Sequence, residues 1–193
     1  MKPEIYFCRH GETEWNLQGR LQGVQYSPLS ELGQIQATRQ GEILRHVLDD
    51  LGSVDIVASP LGRVRQTVDL ALGTNVANLR FDPDLVEVDV GELTGTLRSN
   101  LQRSDPHLEQ LGFDGFWSTY FATQQGESWN TFYDRVNNAA ERIDGKSIIF
   151  AHGVVGYVLR GIFKGLSPND MAKQTASQGC VFHIKDGVET ILT

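Results

Sequence analysis

Residues 5–12 read IYFCRHGE, four apolar residues followed at once by an arginine, a histidine, a glycine and a glutamate. The apolar run predicts a short buried strand, and the polar residues mark its end. A guanidinium can hold an anion with a planar set of donors, and an imidazole is partly uncharged near pH 7, so it can act as a nucleophile or a base. Arg9 and His10, followed by a glycine that lets the backbone turn, therefore suit a site that handles phosphate.

Strand-like and helix-like segments alternate along the rest of the chain, which predicts an α/β fold with a mostly parallel sheet. The remaining predicted strands cover residues 54–58, 76–81 and 147–151, and a hairpin of residues 180–184 and 188–192 around residues 185–187.

Three helices are predicted between these strands. Ser30 can cap the first, Pro60 lies in the first turn of the second, and the third runs from residues 126–128 to Ile143. The first helix is expected to bury one apolar face, made of Leu32, Ile35, Ala37, Ile43, Leu44, Val47 and Leu48. Residues 94–125 are polar, are interrupted by proline and glycine and contain an aromatic cluster. We interpret them as a helical excursion over the site, within a single domain of residues 1–193.

Composition excludes several classes of function. The chain has 193 residues with a net charge of −7, which argues against binding to nucleic acid or to an anionic membrane. No apolar run approaches the roughly 20 residues that a spanning helix needs. The beginning of the chain has no secretory pattern, and Cys8 and Cys180 form no metal-like or paired motif. We therefore expect a cytoplasmic protein with reduced cysteines.

Metal ligands are not indicated either, because the five histidines form no recognised metal-binding spacing. We expect no metal and no cofactor. The sequence leaves the oligomeric state open, with a homodimer among the alternatives.

Polar residues follow three of the predicted strands. Arg9 and His10 follow the first, a stretch from Ser59 to Arg63 follows the second, and His152 follows the strand of residues 147–151. Because parallel strands place their carboxyl ends at one edge of a sheet, the two arginines and two histidines are expected to converge there. Arg65 and Arg160 are interpreted as surface or helix charges.

Five stretches of the chain share the order and composition of a known set of motifs. They are residues 9–16 (RHGETEWN) with 21–23, 28–30 and 32–33, residues 59–67 (SPLGRVRQT), Glu87 with residues 91–95, residues 126–128, and residues 152–153. Together they resemble the histidine phosphatase superfamily, in particular the phosphoglycerate mutase-like, broad-specificity phosphatases of its branch 1. The resemblance spans nearly the whole chain and implies a three-layer α/β/α fold of the phosphoglycerate mutase type.

The resemblance also implies roles for individual residues. His10 would be the nucleophile that carries a transient phosphoryl group. Arg9 and Arg63 would hold the phosphoryl oxygens, with His152 as a further donor. Glu87 would be the general acid, and the neighbouring Asp89 is the alternative.

Four further residues are expected to contact the substrate together with Arg9, Arg63 and His152. They are Asn16, Gln22, Gly23 and Gly153. Of these, Asn16 would hydrogen-bond the phosphate, and the amides near Gly153 would add the positive end of a helix.

The function implied is metal-independent hydrolysis of a phosphomonoester of a small metabolite, through a phosphohistidine. Phosphoglycerate mutase-type transfer is an alternative, although it requires contacts to a second anionic group. The region after Glu87 offers only Arg98 and Arg103 for this, with no Lys or Arg from residue 106 to 134. A protein that binds phosphorylated ligands without turnover is the other alternative.

Overall fold

The computed structural model describes residues 3–74, 76–100, 117, 120, 121, 123 and 125–193. Its strands are β1 (Glu4–Arg9), β2 (Asp55–Ala58), β3 (Leu79–Phe81), β4 (Lys146–Ala151), β5 (Val181–Lys185) and β6 (Val188–Leu192). They form one sheet in the order β3-β2-β4-β1-β5-β6. The first four strands are parallel, β5 is antiparallel to β1, and β6 is antiparallel to β5. The predicted mostly parallel sheet is confirmed.

The final two strands form the predicted hairpin. Asp186 and Gly187 both have positive φ, 53° and 81°. Two such residues in succession fit the right-handed twist of the flanking strands.

Six α-helices whose bounds fall within the described residues connect or cover the strands. They are α1 (Glu14–Leu17), α2 (Glu31–Val47), α3 (Gly62–Leu72), α4 (Trp129–Glu141), α5 (Gly153–Lys164) and α6 (Pro168–Met171). Ser30 caps α2 as predicted, because its side chain accepts from the Gly33 amide. The helix after β2 begins at Gly62, so Pro60 lies before it rather than in its first turn.

Side chains along β1 alternate between two hydrophobic cores, one on each face of the sheet. Ile5 and Phe7 lie in the core that α4 and α5 complete. Tyr6 and Cys8 lie in the core that α2 and α3 complete. The period of two along a strand produces this division, and it confirms the three-layer α/β/α fold.

The predicted apolar face of α2 is partly wrong. Leu32, Ile35 and Val47 are 50%, 66% and 38% exposed. Ala37 and Leu44 of that face are buried, but Gly33, Gln40 and Gly41 are buried beside them. The helix packs at backbone distance, because a Cβ added at Gly33 would lie 2.0 Å from the Glu12 carbonyl oxygen. Leucine or isoleucine side chains would prevent this approach.

Residues 101–116 of the predicted excursion lie outside the described residues, so the excursion and the single-domain boundary stay predictions. Trp117 and Tyr120 are buried in the core beside α4 and α5. None of the described helices has both the length and the hydropathy to cross a membrane.

Candidate active site

The carboxyl ends of β1, β4 and β2 lie at one level of the sheet. Arg9 pairs with Ala151 in the parallel register of β1 and β4, and Ala58 pairs with Phe150 in that of β2 and β4. His10, Ser59 and His152 follow these strand ends directly. The register thus brings the predicted residues to one edge.

A cavity of about 120 Å³ opens at this edge. Eight of the nine predicted site residues line it, namely Arg9, His10, Asn16, Gln22, Gly23, Arg63, Glu87 and Gly153. The ninth, His152, is fully buried and contacts Arg63.

His10 is held with one ring nitrogen towards the protein and the other towards Arg63. Its Nδ1 lies 2.7 Å from the carbonyl oxygen of Gly11 and donates to it, so Nε2 carries the lone pair. Burial, with the charges of Arg63 and Arg9, lowers the pKa of His10 well below its usual 6.5. His10 is therefore neutral at pH 7, as a nucleophile must be.

Arg63 is buried and connects the two histidines. Its Nε lies 3.2 Å from His10 Nε2 and 3.1 Å from His152 Nδ1. Its Nη1 and Nη2 donate to the carbonyl oxygens of Gln25 and Gly23. Burial lowers the pKa of Arg63 to about 10, Arg9 adding to the shift and Glu87 opposing it. It remains charged at neutral pH.

His152 is fixed by Ser59, which opens the 59–67 motif but is not among the predicted site residues. Its Nδ1 accepts from Arg63, so Nε2 carries the proton and donates to Ser59 Oγ at 2.7 Å. Burial, and then the charge of Arg63, lowers the pKa of His152 well below 6.5.

Arg9 has donor capacity that the described part of the protein does not use. Its Nη1 donates to the Ala176 carbonyl oxygen at 2.6 Å, while its buried Nε has no acceptor among the described residues. A buried N–H without an acceptor is costly. An anion in the cavity would remove that cost.

Of the two candidate acids, Glu87 lines the cavity. Its carboxylate accepts from the amides of Val154 and Val155, in the first turn of α5, at 3.0 and 3.2 Å. The Asp89 carboxylate instead accepts from the Gly91 amide within its own turn. The geometry favours Glu87 over Asp89.

The residues predicted to contact the substrate differ in which hydrogen-bonding groups they can present to it. Asn16 Oδ1 accepts from the Thr13 amide and from Gln178 Nε2, which directs donation through its amide nitrogen. The Gln22 amide is engaged with Thr13 and Gln25 and shapes the cavity wall. Gly23 has a φ of +53°, and a Cβ there would lie 3.0 Å from Val90. Its role is to let the wall turn.

Among the lining residues that are not predicted site residues, three have polar side chains: Arg98, Tyr120 and Tyr157. Arg98 Nη1 donates to the Tyr120 hydroxyl at 3.1 Å. Arg98 and Tyr120 fall in the polar stretch after Glu87, and Tyr157 lies one turn into α5, so no motif marks them. The aromatic cluster after Glu87 was the available signal.

Acidification should destabilise the fold through the two buried histidines. In the unfolded chain both imidazoles bind protons near pH 6.5, but in the folded protein their pKa values are well below 6.5. The unfolded state therefore binds more protons below pH 6.5, and stability falls there by up to about 1.4 kcal/mol per pH unit for each histidine.

Denaturant unfolding at pH 7, 6.5, 6 and 5 measures this effect, and the free energy of unfolding is expected to decrease at each step below pH 6.5. The double variant His10→Asn with His152→Asn should lose most of that dependence. If the free energy of unfolding depended on pH equally in wild type and in the double variant, the two histidines would not be the source of that dependence.

The comparisons with known proteins agree with this geometry. Residues 5–189 match the sequence model of the histidine phosphatase superfamily (branch 1). The probable phosphoglycerate mutase GpmB of Erwinia tasmaniensis is 30% identical over 171 residues, which are 86% of this chain and 77% of the relative.

Two solved structures share the fold over almost the full chain. TTHB049 from Thermus thermophilus has a TM-score of 0.73 at 28% identity, covering 98% of both chains. Bacillus stearothermophilus YhfR has a TM-score of 0.75 at 27% identity, covering 98% of this chain and 95% of that chain. The chain therefore belongs to branch 1 of the histidine phosphatase superfamily.

Proposed function

We propose that the protein is a metal-independent phosphomonoester hydrolase that acts on a small phosphorylated metabolite through a phosphohistidine at His10. The observation that carries this is the His10 Nε2 lone pair, held next to a charged, buried arginine in a cavity that Glu87 also lines. The cytoplasmic location, and the lack of nucleic-acid and membrane partners, stay predictions from composition.

The reaction divides into two transfers. His10 Nε2 forms a bond to phosphorus as the bond to the ester oxygen breaks, and Glu87 gives its proton to that oxygen, releasing the alcohol. Water then attacks the phosphoryl group while Glu87 takes its proton, and the nitrogen–phosphorus bond breaks. The products are inorganic phosphate and the original enzyme. Arg9 and Arg63 offset the charge of the phosphoryl oxygens in both steps.

Phosphoglycerate mutase activity is the second candidate, favoured by the names of the GpmB relatives. A mutase must also hold a second anionic group of its substrate. Arg98 lines the cavity and could meet such a group, but it already donates to Tyr120. Hydrolysis needs no second anion contact, so we place it first.

Two substrates, p-nitrophenyl phosphate and 3-phosphoglycerate, distinguish hydrolase activity from mutase activity. We expect turnover of p-nitrophenyl phosphate to be unchanged by excess EDTA, and phosphate release from 3-phosphoglycerate to exceed its conversion to the 2-isomer. Loss of turnover in EDTA would contradict the metal-independent mechanism. Isomerisation without phosphate release would favour a mutase, and phosphate binding without turnover on a broad ester panel would favour a binding protein.

A further inference from the structure

An ion pair outside the cavity joins Arg135 of α4 to Glu127, in the 126–128 motif that the reaction does not use. Arg135 Nε and Nη2 donate to the two carboxylate oxygens of Glu127 at 2.6 and 2.8 Å. The pair is bidentate and mostly buried, with side-chain exposures of 17% and 12%. Such a pair has one defined geometry.

The same guanidinium contacts the backbone of the loop that carries Glu87. Arg135 Nη1 donates to the carbonyl oxygens of Asp84 and Val86 at 2.8 and 2.6 Å, and Nη2 donates to that of Glu87 at 3.3 Å. With the two bonds to Glu127, each of the five N–H groups of Arg135 has an acceptor.

Glu127 holds the other side of the loop. Its backbone amide donates to the Asp89 carbonyl oxygen at 2.8 Å. A Cβ on the preceding Gly126 would lie 2.9 Å from that same oxygen, so glycine permits the approach. The backbone is thus fixed on both sides of Glu87.

We infer that Arg135 and Glu127 are positioning residues that hold the general acid Glu87 at the distance that proton transfer requires. This inference rests on the proposed function. The Glu87 backbone is held by Arg135, while its carboxylate is held by the amides of Val154 and Val155. Proton transfer needs heavy atoms about 2.6–3.2 Å apart, and a displacement of about 1 Å can cost about 10²-fold in rate.

The test compares p-nitrophenyl phosphate with phenyl phosphate, two ring esters of similar size. The p-nitrophenolate ion leaves readily without a proton, whereas phenolate leaves much more slowly, so a displaced acid affects phenyl phosphate more. The quantity measured is the ratio of kcat/KM for p-nitrophenyl phosphate to kcat/KM for phenyl phosphate. A general loss of folded protein lowers both values and leaves the ratio unchanged.

We expect Glu87→Gln to raise this ratio about 100-fold, and Arg135→Lys and Glu127→Gln to raise it about tenfold each. Lysine keeps the charge of Arg135 but cannot reproduce its planar set of five donors. Arg142→Lys is the matched control, because Arg142 grips the side chains of Asp82 and Asp84 and should leave the ratio unchanged.

An unchanged ratio in Arg135→Lys and Glu127→Gln, with a raised ratio in Glu87→Gln, would overturn the positioning role and leave the proposed function standing. An unchanged ratio in Glu87→Gln would instead contradict the acid itself, and a raised ratio in Asp89→Asn would move that role to Asp89. If Arg135→Lys does not fold, Glu127→Gln decides the question alone.

Discussion

His10→Ala is expected to lower kcat for p-nitrophenyl phosphate by about 10⁴-fold or more, the scale seen when a covalent nucleophile is removed. His10 supplies the nitrogen that bonds to phosphorus, and alanine has no atom to replace it. The imidazole is neutral in the folded protein because burial lowers its pKa, so its removal takes no opposite charge away from Arg63. The Arg63 Nε keeps His152 Nδ1 as an acceptor. The variant should therefore fold.

Circular dichroism and thermal unfolding check the fold of His10→Ala. His46→Ala is the matched control, because His46 lies exposed in the last turn of α2 and should retain full activity. Turnover by His10→Ala within about tenfold of wild type would show that another group attacks the phosphorus.

Arg63→Met should reduce kcat/KM by about 10³-fold, because it removes a donor and a positive charge beside the transferred phosphoryl group.

The free energy of unfolding of Arg63→Met should differ little from that of wild type. A pKa lowered from 12.5 to about 10 corresponds to a cost of about 3 kcal/mol for keeping Arg63 charged. Methionine avoids that cost but leaves the Gly23 and Gln25 carbonyl oxygens without donors, at about 1–3 kcal/mol each. The two effects oppose each other.

Three measurements follow on Arg63→Met: kcat/KM, the free energy of unfolding, and the pKa of His10 by NMR. The pKa of His10 should rise, because Arg63 is the largest of the charges that lower it. Arg65→Met, an exposed arginine on the same helix, should match wild type in kcat/KM and in the pKa of His10. A His10 pKa equal to that of wild type would contradict the electrostatic account of the site.

The sequence was sufficient to predict the convergence of Arg9, His10, Arg63 and His152. Each follows a short apolar run, and a parallel sheet places the ends of such runs together. The prediction needed only the order of elements. It did not need the contacts between them.

Predictions that depend on contacts between distant elements were less successful. The sequence favours a surface or helix charge at Arg160, yet this side chain is buried, paired with Glu189 of β6 at 2.8 Å and placed over the Phe182 ring at 3.8 Å. The sequence around Arg160 does not indicate that its partner lies 29 residues away.

The same limit applies to α2 and to Arg135. A leucine at position 32 looks like a core residue, but the helix packs through Gly33 at backbone distance, which periodicity does not show. Arg135 contacts backbone carbonyl oxygens, and these carry no residue-specific signal. Such contacts require the three-dimensional structure.

The most direct test of the account is to trap the phosphorylated enzyme. Wild-type protein is mixed with a ³²P-labelled ester, quenched in alkali within one turnover, and digested for mass spectrometry. We expect an acid-labile, alkali-stable phosphoryl group on His10, and none on His10→Ala. A phosphoryl group on a serine, label that survives a parallel quench in cold acid but not the quench in alkali, as on an aspartate, or label retained by His10→Ala, would contradict the phosphohistidine mechanism.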